Sequence, residues 1–235
     1  MVRFHDERFP GESDDYRTAR DRLLQAELEL RDRVEEVAAL RRQLPRGGAL
    51  KQDYVFEEGA RDLDDKSTLR QTRLSELFAP GKDSLVIYSF MYPAEGKPCP
   101  MCTTFLDSLD GAAPHIGQRV NLAIVGRAPV VVLRALARQR GWRNLRLLSS
   151  DDNGYNRDYI AERSAEDQIP ALNVFQKTGD GIFHFYGAEQ LYAPWPPSNN
   201  PRHIDLLWPL WTLLDLTPAG RGSDWYPSTS YGEEA

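Results

Sequence analysis

The stretch SLVIYSFMY, residues 84–92, is rich in β-branched and aromatic side chains and reads as a buried strand. Two further runs share that character, NLAIVG at 121–126 and LRLLSS at 145–150. Helical patterns lie between them. One opens near Pro100 and runs to about Ala113; the other, PVVVLRALARQRG, has Pro129 at its first turn and Gly141 at its end. Strand, helix, strand, helix, strand is the order of a parallel βαβ unit with a repeat. Further along, ALNVFQK and GIFHFYG flank Thr178-Gly179-Asp180-Gly181, a hairpin signature. Upstream, DYVFEE reads as a short strand and TLRQTRLSELF as a partly helical turn. The whole order predicts an α/β fold: a central mixed sheet with a parallel βαβ half, an antiparallel hairpin and helices on both faces.

The ends of the chain differ from this middle. Residues 1–14 are polar, with Pro10 and Gly11, and are expected to be disordered. Residues 15–46 form a helical arm, built from strong helix formers without Gly or Pro as far as Leu44. Its apolar residues Leu23, Ala26, Leu30, Val34, Val37, Leu40 and Leu44 fall on one stripe. Such a helix either makes a homodimer as a short coiled coil or packs against a globular part. The globular domain is expected over 50–217, ending in an apolar helix IDLLWPLWTLLDL kinked at Pro209, and residues 218–235 read as a flexible acidic tail.

A formal net charge of −6 leaves no basic excess to neutralise a phosphate backbone, so nucleic acid is not an expected partner. No apolar run is long enough to span a bilayer, and the opening MVRFHDERFPGESDD lacks the apolar core of a secretory signal. The expectation is a cytoplasmic protein with no membrane partner. The chain has 2 cysteines, Cys99 and Cys102, in KPCPMC. In a reducing compartment such a close pair points to redox chemistry or metal binding rather than to a structural disulfide.

The position of the pair decides between its sulfurs. At a strand-to-helix junction the first cysteine lies beside the free N–H groups of the helix's first turn, which stabilise a thiolate, and the second lies one turn deeper. Cys99 is then the nucleophile and Cys102 the resolving thiol. Pro100 needs no N–H in the first turn, and Pro98 stiffens the approach. The substrate would be a thiol or disulfide, in a protein or a small molecule, with no cofactor. A metal reading uses the same cysteines with His184, in GIFHFYG, as a Cys2His site for copper or zinc, the role of a metallochaperone. A third reading is a non-catalytic oligomeric scaffold. Gly126 belongs to no GxGxxG, so a dinucleotide site has no support.

Residues 169–175, IPALNVF, resemble the thioredoxin-fold pattern in which the X-Pro bond before a strand is cis and sits against the CxxC. That resemblance implies that Pro170 shapes the sulfur pocket and that the Ile169 main chain meets an extended thiol substrate. More broadly, DYRTARDRLLQAELELRDRVEEVAALRRQLP, DYVFEE, SFMYPAEGKPCPMCTTFLDSLDGAAPHI, VGRAPVVVLRALARQRGW, SSDDNGYNRDY and LLDLTPAGR resemble the bacterial thioredoxin-like family catalogued as domain of unknown function 899, over about residues 15–222. The resemblance implies a thioredoxin-like or peroxiredoxin-like scaffold. Three features depart from the better-known members of that superfamily. No tryptophan precedes Cys99, and SLVIYSFMY holds no acidic residue to serve Cys102. The PxxxTxxC pattern of peroxiredoxins also fails, with Tyr92 and Gly96 at the proline and threonine positions; peroxidase activity stays a secondary expectation.

Overall fold

The computed structural model describes residues 4–164 and 167–193, which fall in two compact units divided between Pro45 and Arg46. In the first unit, helix α1 spans Asp14–Arg42. Ser13 caps it, its hydroxyl accepting from the Tyr16 N–H at 3.2 Å. Asp14 and Asp15 in the first turn and Arg41 and Arg42 in the last match the helix dipole. Leu23, Leu30, Val34 and Leu40 of the apolar stripe are exposed.

The second unit is built on one sheet. Its strands are β1 (Val55–Gly59), β2 (Leu69–Arg73), β3 (Ser84–Phe90), β4 (Asn121–Gly126), β5 (Leu147–Ser149), β6 (Ala171–Thr178) and β7 (Gly181–Gly187). Helices α2 (Pro100–Ile116), α3 (Val130–Arg140) and the single turn α4 (Tyr155–Asp158) are the unit's described α-helices. The strand order is β2-β1-β5-β4-β3-β6-β7. β3, β4 and β5 are parallel; β6 and β7 continue antiparallel from β3, and β1 and β2 antiparallel from β5. This is the mixed sheet predicted from the strand order, in the thioredoxin-like form that the resemblance implies.

Three local expectations need correction. TLRQTRLSELF is strand β2 followed by a 3₁₀ turn at Leu74–Leu77; its polar residues suit an edge strand, where main-chain pairing to β1 decides the conformation. The strand at 84–92 stops at Phe90, where the Tyr92 N–H turns back to the Phe90 carbonyl at 2.7 Å. LRLLSS pairs only over its centre, 147–149. The helix IDLLWPLWTLLDL and the acidic tail lie outside the described residues.

Alternation along β3 sends Leu85 and Ile87 to one face and Tyr88 and Phe90 to the other, so the sheet separates two cores. The first holds Phe105, Leu106 and Cys102 from α2 and Leu133 from α3. Both helices cross the same face because β3, β4 and β5 are neighbours in sequence and in space. The second core gathers Tyr54, Phe56, Phe175 and, from α4, Tyr155.

α2 is tied down along its length. Asp107 accepts from the Trp142 indole at 2.7 Å and from Arg140. Asp110 accepts from the main-chain N–H groups of Asn144 and Leu145 at 2.8 and 3.2 Å. Pro114 lies inside the helix, which therefore runs past the predicted end at Ala113. A proline there has no N–H for the carbonyl four residues earlier. That carbonyl, of Asp110, is met instead by the Asn144 side-chain amide at 3.2 Å. Among the described residues no helix is long and apolar enough to cross a membrane.

Candidate active site: a dithiol at the head of α2

Cys99 is the N-cap of α2, in extended conformation, and Pro100 opens the helix. The loop before it is held by two strands' ends: the Cys99 N–H donates to the Met91 carbonyl at 2.9 Å, and the Ala128 N–H to the Tyr92 carbonyl at 2.9 Å. Below it, the Cys99 carbonyl receives the Thr103 N–H at 3.0 Å and the Thr103 hydroxyl at 2.8 Å. The Cys99 side chain makes no capping hydrogen bond to the first turn of α2.

The two cysteines are not bonded to each other and differ in setting. Cys99 is half-buried, whereas Cys102 is only 3% exposed. The Cys102 thiol is pushed well up from its ordinary value, first by its hydrogen bond to Cys99 and then by burial. Two donors oppose this, the Tyr88 hydroxyl and the Met91 main-chain N–H. Tyr88 is the residue that the sequence reading missed. It occupies the strand in which no acid could be found, on the same face as Cys102, packed edge-on against Phe105 at 4.8 Å. Its signal in the sequence was a hydroxyl at a position that packing alone would fill with phenylalanine.

Gly96, in the loop before the dithiol, has φ of +125°, a conformation L side chains rarely adopt. Threonine at this place, as in the peroxiredoxin pattern, is disfavoured by the backbone itself.

The other predicted residues take varied positions. The last ladder pair of β3 with β6 joins Ser89 to Ala171, so Pro170 and Ile169 follow at the sheet end that carries the Cys99 loop. The Ile169–Pro170 bond is trans, against the cis expectation, since no peptide bond among the described residues is cis. The approach to β6 is extended, with the Ile169 N–H donated to the Ala161 carbonyl at 2.9 Å and a bridge between Glu162 and Gln168; trans is the ordinary form in such a segment. That donation occupies the Ile169 N–H.

His184 does not join the cysteines. It packs against Tyr159 and Phe175, members of the second core, on the opposite side of the sheet from Cys102. Its Nε2 meets Asn173 Oδ1 at 2.8 Å, and the Asn173 amide nitrogen donates to the Tyr159 carbonyl at 3.1 Å, so Nε2 carries the proton. Burial lowers the pKa of its ring. Among the described residues no group of three or more His, Cys, Asp or Glu side chains is placed to hold a metal ion. Tyr155 is likewise in the second core, fully buried.

Several solved structures are similar to this chain. The reduced 2-Cys peroxiredoxin of Plasmodium vivax is 15% identical, with 69% of this chain and 94% of that one covered and a TM-score of 0.46. Plasmodium yoelii thioredoxin peroxidase I is 17% identical over 73% of this chain and 91% of that one, with a TM-score of 0.46. A peroxiredoxin-like protein from Aquifex aeolicus is 14% identical over 61% and 75%, with a TM-score of 0.42. No curated protein matches the sequence. A family model matches residues 7–233, and the chain belongs to that family, the bacterial proteins of unknown function called DUF899.

Proposed function

We propose that the chain is a cytoplasmic thiol-disulfide oxidoreductase in which Cys99 attacks and Cys102 resolves. The observation that carries this reading is the unequal pair at the head of α2: a half-buried sulfur at the helix N-cap, hydrogen-bonded to a buried one whose proton is held. The Cys99 thiolate attacks one sulfur of a substrate disulfide, forming a mixed disulfide and expelling the other sulfur as a thiolate, which takes up a proton. Cys102 then loses its proton and attacks Cys99 Sγ; the Cys99–Cys102 disulfide forms and the second substrate thiol leaves. Two electrons pass from the dithiol to the substrate, and an external dithiol reductant restores the reduced pair.

Reduction of a small aromatic disulfide by the full chain tests this. Cys99→Ser should abolish turnover, and Cys102→Ser should halt at the mixed disulfide. The couple should be reversible, with a potential in the range of roughly −120 to −270 mV occupied by CxxC proteins. Undiminished turnover by Cys99→Ser removes the proposal, and stoichiometric copper or zinc lost on changing either cysteine would put the metal reading in its place. The exposed apolar stripe of α1 supports a homodimer through that helix, which removal of residues 1–46 should abolish in sedimentation.

A further inference from the structure

At the far end of α2 from the dithiol, six cationic side chains line one cleft of 570 Å³: Arg61, Arg70, Lys82, Arg134, Arg143 and Arg146. Glu58 is the only carboxylate among its described lining residues. The 17 residues of α2 place this cleft about 25 Å from Cys99 along the helix. It opens where β4 begins at Asn121 and the chain leaves α2 at Gly117.

Internal pairing offsets only part of that charge. Glu58 accepts from Arg146 at 2.7 and 2.9 Å, from Arg70 at 3.1 Å and from Thr72 at 2.8 Å, so one negative charge faces two guanidiniums. Lys82 donates to the Gly117 carbonyl and offsets the partial negative charge at the end of α2. Arg134 makes no salt bridge among the described residues, although the carboxylates of Asp65, Asp62 and Glu58 lie near enough to act on its charge. It is 6% exposed, and among the described residues its side chain donates to the main-chain carbonyls of Ala60, Asp62 and Asp65. Burial and then the neighbouring Arg138 lower its pKa against the pull of those carboxylates, and its guanidinium stays charged at any ordinary pH. The backbone makes room for it: a Cβ at Gly59 would stand 2.6 Å from the Arg134 side chain. On the rim, Arg61 is exposed and has no partner among the described residues, and Arg143 reaches only Asp64, at 3.4 Å, with both side chains largely in solvent.

A concave site with a surplus of guanidinium charge, in a chain whose net charge is −6, concentrates positive potential where the rest of the surface repels anions. Guanidinium forks match phosphate oxygens in pairs. The volume lies within the range of small-molecule sites. We propose that this cleft binds a phosphorylated small molecule, with Arg61 and Arg143 closing on its phosphate oxygens and Arg134 supplying buried positive charge behind them.

Calorimetric titration of the full chain with inorganic pyrophosphate tests the proposal. One saturable site is expected, weakening as salt is raised, and about tenfold weaker in Arg61→Ala and in Arg143→Ala. Arg163→Ala, an exposed cation elsewhere, should bind as the parent does. Both rim residues are solvent-facing, so their removal leaves the fold in place, which circular dichroism verifies. No saturable heat up to about 10 mM pyrophosphate overturns the proposal, since a built site should bind more tightly than the mM scale. Binding unchanged in the double variant overturns it too. None of these readouts depends on the dithiol, so the two proposals can fail separately.

Discussion

Replacing Tyr88 by phenylalanine isolates the one polar contribution that strand β3 makes to the dithiol. The ring stays, with its edge-on packing against Phe105 at 4.8 Å, and only the hydroxyl donor to Cys102 is lost. A hydrogen bond to a charged group is worth about 1.5–3 kcal/mol, and 1.36 kcal/mol corresponds to about one pKa unit. The Met91 N–H remains as a second donor to the same sulfur, which places the loss near the lower end, about 1.5 kcal/mol. Because the Cys102 thiol is already raised, its thiolate is a minor form at neutral pH, and that loss cuts it about tenfold. The more basic thiolate is intrinsically the better nucleophile, with a Brønsted slope of about 0.4–0.5, which returns about threefold. Resolution of the mixed disulfide should therefore slow about three- to fourfold, while the first attack by Cys99 is unchanged. Acid-quenched single turnovers followed by mass spectrometry read both steps. In a Cys99→Ser background, the pH profile of Cys102 alkylation should move upward on adding Tyr88→Phe. An unmoved alkylation profile would refute the role given to the hydroxyl, whatever the turnover rate.

Three other substitutions test the scaffold around the site. Gly96→Ala forces an L side chain into φ of +125° and should cost about 1–3 kcal/mol, lowering the melting temperature by several degrees; an unchanged melt contradicts the strain argument. Burial alone would raise the Glu58 carboxyl, but hydrogen bonds from Arg146 and Thr72 and the charges of Arg146 and Arg70 hold it below its ordinary value. Its ionised form therefore stabilises the fold above the unfolded value near pH 4.3, and that contribution is lost as pH falls through the lower folded value. Glu58→Gln should cost about 3 kcal/mol at pH 7 and flatten the acid side of the stability curve, as read by urea melts; an equally steep acid side would refute the assignment. His184 is held neutral by burial, so the unfolded chain takes up its proton first as pH drops below about 6.5, and stability falls from there downward. His184→Gln should remove that decline, and its persistence in the variant would place the titrating group elsewhere.

Which of these features could be read from the sequence follows from where each residue finds its partner. NLAIVG is β4 over the predicted span because a central parallel strand is covered on both faces and its apolar run has the same limits as its ladder. LRQTR reads as part of a helical turn although it is a strand, because an edge strand is held by main-chain bonds to β1, which leave no mark on side-chain pattern. The placement of the cysteine pair was readable for a related reason: Cys99, Pro100 and Cys102 lie within a single turn at the start of α2, so their geometry is local. His184 and Tyr88 were not, because the face each side chain takes is set by the sheet. The register shift in β6–β7 between Val174 and Phe175 pairs Phe175 with His184, and the histidine joins the second core, away from the sulfurs. Tyr88, one residue after Ile87 on the same strand, turns toward them. A carboxylate at that depth would be expensive to ionise and would repel a thiolate. A tyrosine hydroxyl is a neutral donor at ordinary pH, so it lowers the cost of a charged Cys102 without carrying a charge of its own. The missing acid in SLVIYSFMY is thus a change in how the buried sulfur is served: hydrogen bonds from the Tyr88 hydroxyl and the Met91 N–H assist the Cys102 thiolate where a carboxylate would oppose it.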